Sequence, residues 1–211
     1  VEAAWGDTDV LISGYDTSVG QVTEIPQSIV DDLREANLNG IEGFQGGRVL
    51  STAVVTSEGI ANPSVPWFAL EHRDDVRIGS ENNGLTWFEL EEINRFAETP
   101  QVVVNQKFAD ELEVRSGDEI QFQWSVRNQN GIERIKENFT IYQIVDMDGQ
   151  GQLAGTTSPA VFTDLLSAQS WQQSEGNVTS IRVSLKGIEE VRSAVEPIMD
   201  ELVQALNQSI G

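Results

Sequence analysis

The sequence predicts an α+β domain carrying a β-rich insertion, and three observations predict it. The chain opens with a β-α-β pattern. Its middle is dominated by short alternating strands separated by Gly, Pro and Asn punctuation. It closes on a strand followed by a helix with a continuous apolar stripe. The 211 residues, 39% hydrophobic, are enough to bury one sizeable core or two small ones in series.

Each element follows from local patterning. Asp9 to Tyr15 (DVLISGY) alternates and is β-rich, which predicts a strand. Pro26 suits a first helical turn, and Ile29, Val30, Leu33 and Ala36 keep helical spacing after it. Asn37 to Gly40 ends that helix, because Asn and Gly tolerate the left-handed conformation. Ile41 to Thr56 reads as one or two strands interrupted at Gly46-Gly47. Further on, PWFALEH reads as a short strand and Trp87 to Phe96 as a helix. Val102 to Asn105 is a strand, and Gln106 to Leu112 a short helix with Phe108, Ala109 and Leu112 on one face. Ser116-Gly117-Asp118 is a turn into a strand, Glu119 to Val126, that sets Ile120, Phe122 and Trp124 on one side. A hairpin at Asn128 to Gly131 returns as a strand from Ile132 to Met147. Ala160 to Phe162 is a short strand, Leu165 to Trp171 a short helix, and Val178 to Leu185 an alternating strand. In the last helix, Ile188, Val191, Ala194, Val195, Ile198, Met199, Leu202 and Leu206 form the apolar stripe, and Pro197 inside it predicts a kink. No repeat of 20–50 residues is apparent, which argues against a solenoid.

Charge narrows the partners. Thirteen basic residues face thirty-four acidic ones, a formal net charge of -21. Such a surface repels nucleic acid and anionic lipid headgroups. The acids are spread along the whole chain, which favours adaptation to high salt over a dedicated cation-binding surface. The source implied is an extreme halophile, archaeal, and the same self-repulsion predicts poor stability at low ionic strength. There is no cysteine, so disulfides, thiol catalysis and Cys-based zinc sites are excluded. No run approaches the ~20 apolar residues of a transmembrane helix, and no leader peptide is visible; the chain reads as an excised domain. Asn138, Asn177 and Asn207 open Asn-x-Ser/Thr triplets, compatible with an outside location, and their glycosylation is left open.

The chemistry-bearing residues are sparse. His72 is the single histidine, in a charged run that suits a structural or surface role, and no Gly-x-Ser-x-Gly elbow exists. With thirty-four acids, close carboxylate pairs arise by chance and their spacing does not discriminate. The glycines at 14, 20, 40, 43, 46 and 47 spell neither phosphate-binding pattern. Asp146-Met147-Asp148-Gly149 resembles the opening of a calcium loop but has no Glu at the twelfth position, so a solvated turn is the favoured reading. Of the tryptophans Trp5, Trp67, Trp87, Trp124 and Trp171, Trp124 keeps strand alternation and suits a core; Trp67 and Trp87 are the better surface candidates, and packing is favoured over recognition for the set. No catalytic, cofactor-binding or metal-binding residue is assigned, and the chain is expected not to be an enzyme.

Three segments carry a family resemblance. VVVNQKFADELEVRSGDEIQF, Val102 to Phe122, places Val103, Val104, Asn105, Ala109, Leu112, Val114, Gly117 and Asp118 in a strand, short helix and Gly-Asp turn. FTIYQIVD, Phe139 to Asp146, precedes a Pro-x-Val-Phe strand at Pro159 to Phe162. NVTSIRVSLKGIEEVRSAVEPIMDEL, Asn177 to Leu202, is a closing strand and helix. Together with the opening DVLISGYD, these resemble the extracytoplasmic (periplasmic core) domain of MacB/FtsX-type ABC-transporter permeases. The resemblance runs nearly the whole chain in order, except between Glu58 and Pro100.

The resemblance implies a porter-like α+β subdomain formed by residues 1–56 plus 177–211, with an inserted β-rich subdomain at 57–176. It implies a domain on the extracytoplasmic face of the cell membrane, set between the first and second transmembrane helices. ATP-driven helix movement inside would be relayed to substrate or partner handling outside. The partners implied are a cognate ABC ATPase subunit, a second permease copy, and an extracellular protein or substrate, with no nucleic acid. The competing reading is a stand-alone secreted or surface-anchored binding module. Membrane helices encoded directly before Val1 and after Gly211 separate the two.

Overall fold

The computed structural model describes residues 10–16, 21–71, 87–128, 131–145, 158–185 and 195–210. Strand β1 (Val10–Asp16) pairs antiparallel with the three-residue β2 (Gln21–Thr23). The next two residues, β3 (Ile25–Pro26), pair with β10 (Asn177–Val178). Helix α1 (Ser28–Glu35) therefore starts two residues later than Pro26 had implied. The Gln27 N–H donates to the Gly176 carbonyl at 2.8 Å, which ties down the turn between β3 and the helix. Asn37 (φ 45°) and Gly40 (φ 81°) end the helix as expected. At Gly40 a side chain is excluded twice over: a Cβ there would lie 2.5 Å from Ile198 Cδ1.

Strand β4 (Ile41–Thr56) organises the molecule. It is one uninterrupted strand of 16 residues, where the Gly46-Gly47 pair had suggested a break. The glycines mark close approach instead. A Cβ on Gly46 would lie 3.1 Å from Val178 Cγ1, and one on Gly47 would lie 3.2 Å from Leu70 Cδ2. The first half of β4 pairs with β11 (Ser180–Leu185), which pairs with β1. The second half turns through Ser57–Ile60 into β5 (Ala61–Leu70), which is longer than the PWFALEH segment alone. Pro63 lies beside a register shift between Thr52 and Val54, where an unpaired N–H costs no ladder bond.

Beyond β5 come α2 (Trp87–Phe96), β6 (Gln101–Asn105), α3 (Gln106–Leu112), β7 (Glu119–Asn128), β8 (Gly131–Val145), β9 (Val161–Asp164) and α4 (Leu165–Trp171). The chain order agrees closely with the patterning. The strand pairings β4-β5-β9-β6-β8-β7 return to β4, because Ala53–Thr56 also pair with Gln123–Ile120. The β-rich part is thus a closed barrel, which leaves few free edges. Helix α5 (Val195–Ile210) packs against α1 on the open sheet. Pro197 stands in its first described turn, and the kink expected there involves residues outside those described.

Three cores result. Inside the barrel, Trp67 lies edge-on to Phe122, Trp124 and Phe139 with ring centroids 5.4–5.6 Å apart. Trp67 is 0% exposed, so it packs in the core, the reading favoured for the tryptophans, and is not the surface candidate it had looked among them. Trp124 is core, as its alternation implied, and Trp171 packs against the same cluster. Such aromatic pairs contribute about 0.5–1.5 kcal/mol each beyond burial. The second core joins α1, α5 and one face of the open sheet through Val30, Leu33, Phe44, Ile181, Val183 and Leu202; Ala69, Leu165 and Ala168 also pack into it. The third lies outside the barrel wall, where Leu90 of α2 meets Phe68, Leu70, Val103, Val145 and Phe162. One alternation misled: all six residues of β11 are buried, so Ser180, Arg182 and Ser184 do not form a solvated face.

Candidate functional site

Polar side chains gather where β4 leaves the open sheet and enters the barrel. Arg48, 4% exposed, sits at that point of the strand. Its guanidinium donates to Gln172 Oε1 at 2.9 Å, to the Asn177 carbonyl at 3.1 Å and to Glu24 Oε1 at 2.7 Å. One planar fork so ties the end of α4, the β10 strand and the β2–β3 link. Gln169 adds donors to Gln27 Oε1 and the Asn177 carbonyl, both at 2.9 Å, and Thr179 Oγ1 accepts from the Val49 N–H at 2.8 Å. On the same side, Glu71 closes β5. Its carboxylate pairs with Arg34 of α1 and accepts from the Gly46 N–H at 3.1 Å. Arg34 also donates to the Phe44 carbonyl at 2.9 Å.

The motif residues of the sequence are explained by a second set of bonds. Asn105 is 0% exposed and caps α3. Its Oδ1 accepts from the Phe108 N–H at 2.9 Å and the Ala160 N–H at 3.1 Å, and its Nδ2 donates to the Ser158 carbonyl at 3.0 Å. Val103 and Val104 beside it are wholly buried on opposite faces of β6, and Ala109, Leu112 and Val114 line the barrel core. Gly117 has φ 92°, and Asp118 Oδ2 accepts from the Arg115 N–H at 2.7 Å. This Gly-Asp turn delivers the chain into β7. The block is structural cement, and none of its side chains faces a cleft in a way that implies chemistry.

Among the described residues Asp164 is the one buried carboxylate, and it is a helix cap: Oδ1 accepts from Ser167 N–H at 2.8 Å and Oδ2 from Asn94 Nδ2 at 3.0 Å. Among the described residues no three His, Cys, Asp or Glu side chains converge as a metal site. Burial lowers the pKa of the Arg182 guanidinium to about 10, which leaves it protonated at neutral pH. Three clefts lined by described residues measure ≈ 210 Å³ beside Glu113 and Glu119, ≈ 130 Å³ beside Arg34 and Phe44, and ≈ 120 Å³ beside Glu71 and Leu165. Small-molecule sites usually span roughly 300–1,000 Å³. No helix among the described residues is long and apolar enough to cross a membrane. Trp5, His72 and Asp146 to Gly149 lie outside the described residues, as does the Trp87 side chain. Asn138 and Asn207 are exposed and Asn177 half-buried. Sequence reasoning missed Arg48, because a lone arginine in a strand carries no local signal of its partners 124 and 129 residues away.

No protein-family model matches the chain, and no curated protein matches it. Solved structures do. The periplasmic region of MacB from Actinobacillus actinomycetemcomitans superposes with a TM-score of 0.55 at 10% identity, over 93% of this chain and 83% of that one. The extracellular domain of the noncanonic ABC-type transporter YknZ from Gram-positive bacteria superposes with a TM-score of 0.52 at 8% identity, over 87% of this chain and 86% of that one. At such identities the likeness is one of fold: the chain has the mixed α+β fold of the MacB periplasmic region.

Proposed function

We propose that this chain is the extracytoplasmic domain of an ABC-transporter permease and that it relays motion rather than performing chemistry. The observation that carries the reading is the fold match along 93% of the chain to a MacB periplasmic region. The continuous β4 supports the relay. At ~3.3 Å per residue its 16 residues span about 50 Å, from the open sheet into the barrel wall. A strand that is hydrogen-bonded in both parts, with Arg48 fastened at the crossing, transmits displacement with little bending. We propose the division into a porter-like part, 1–56 plus 177–211, and an inserted part, 57–176; β1 and α5 both belong to the first. A cognate ATPase and a second permease copy would act through membrane helices attached to that part. The charge of -21 is proposed as adaptation to concentrated salt, as in a halophilic archaeon.

The open reading frame around this segment tests the assignment. One apolar helix before Val1 and three after Gly211, beside an ATPase gene, are expected. A cleavable leader or lipid anchor before Val1, with a stop soon after Gly211, would overturn it in favour of a stand-alone binding module.

A further inference from the structure

The end of the β7–β8 hairpin projects from the barrel. Strand β7 pairs with β4 only at Ile120–Gln123, and β8 pairs with β6 only from Thr140 onward. Between these limits, residues 124–128 and 131–139 pair only with each other among the described residues. They form a two-stranded ribbon with two free edges. Its two faces differ sharply. One carries Ile120, Phe122, Trp124 and Val126 opposite Phe139, Glu137, Ile135 and Glu133; its apolar residues run into the barrel core, while Glu133 and Glu137 are exposed. The other carries Gln121, Gln123 and Ser125 on β7, with Ile132, Arg134, Lys136 and Asn138 on β8.

That second face has no acid in a chain with thirty-four of them, and among the described side chains it holds two cations, Arg134 and Lys136. Arg134 and Lys136 are exposed, and neither forms an ion pair among the described residues. Ile132 is 67% exposed at the ribbon tip, one of the most exposed large apolar side chains described. A cationic strip with an apolar end, on the outer face of a ribbon in an acidic protein, is complementary to an acidic polypeptide that carries apolar side chains between its carboxylates. The body's own charge repels such a partner everywhere else, so the ribbon selects the point of contact.

We infer that this face of the β7–β8 ribbon is the docking site for an acidic extracellular polypeptide. The cations have a simpler use as guards of free strand edges against aggregation. Charge reversal separates the two, since glutamate guards an edge as well as lysine does. The inference stands on the ribbon and holds under either reading of the domain's function.

The probe is a fluorescein-labelled peptide of alternating Glu and Leu, titrated with the whole 211-residue chain at about 0.15 M salt, where screening reaches ~8 Å. Binding by anisotropy is expected for the wild type. Arg134→Glu with Lys136→Glu should weaken it at least tenfold, and Ile132→Ser should weaken it severalfold. Lys107→Glu, which removes an exposed cation elsewhere, should change it less than twofold. Unaltered melting curves would show that each variant folds. Equal affinity in all four proteins, or no binding by the wild type, would overturn the inference. So would self-association of the wild type in sedimentation that the double variant abolishes, because the occupant would then be a second copy.

Discussion

Replacing Asn105 with alanine isolates the bonds that hold the barrel's sequence motif together. Asn105 is fully buried, and its amide makes three hydrogen bonds, to Phe108 N, Ala160 N and Ser158 O. Loss of the helix cap costs about 1 kcal/mol. The Ala160 N–H is also buried, and stranding it costs about 1–3 kcal/mol. The Ser158 carbonyl belongs to an exposed residue and can turn to water, so it adds little. Together Asn105→Ala should cost about 3 kcal/mol, or roughly 6–12 °C in melting temperature for a chain of this size. Asn105→Ser keeps a capping oxygen but is too short to reach Ala160, so it should lose about two thirds as much, about 2 kcal/mol. Urea unfolding followed by tryptophan fluorescence suits the measurement, because Trp67, Trp124 and Trp171 report on the barrel and urea leaves ionic strength fixed. The midpoint should fall in the order wild type, Ser, Ala, with unchanged slope. A loss under ~1 kcal/mol for Asn105→Ala, or a serine variant as stable as wild type, would refute the bond-by-bond reasoning.

Two further predictions concern the junction and the charge. Arg48→Met keeps the stem's volume but strands Gln172 Oε1; the Asn177 carbonyl keeps only its bond from Gln169, and half-exposed Glu24 returns to water. It should cost about 2–4 kcal/mol, and calorimetry should split one transition into two as open sheet and barrel uncouple; a single transition at the wild-type temperature would count against the junction. The charge of -21 predicts that the melting temperature rises as KCl is raised from low concentration, most steeply before the screening length falls to ~3 Å near 1 M. Sucrose at matched osmolality should not reproduce the steep early rise, and a melting temperature indifferent to salt would refute the role given to self-repulsion.

Elements whose partners are near in sequence could be read from the sequence; those set by distant partners could not. Helices α3 and α4 begin and end where their patterns said, because Asn105 and Asp164 cap them locally and the apolar residues follow at helical spacing. The Ser116-Gly117-Asp118 turn is equally local. Trp67 was misjudged because PWFALEH has no clear alternation, and only the closure of the barrel decides that its strand is covered on both sides. Arg48 and Glu71 were silent for the same reason: their roles depend on strands and helices brought in from elsewhere. The α+β class emerged correctly because element order alone carries it.

The two glycines of β4 show why local punctuation can mislead. In isolation, Gly-Gly lowers strand propensity and predicts a break. In the folded chain their missing side chains let Val178 approach Gly46 from one face of the sheet and Leu70 crowd Gly47 from the neighbouring strand. A side chain at either position would push these neighbours by a few tenths of an ångström, next to the Arg48 crossing. The local cost of two glycines in a strand is roughly 1–2 kcal/mol. It is outweighed if close packing keeps β4 continuous, because a break there would separate the open sheet from the barrel. The same residues that look like a flexible joint in the sequence are therefore what allows the strand to pass through its most crowded point without one.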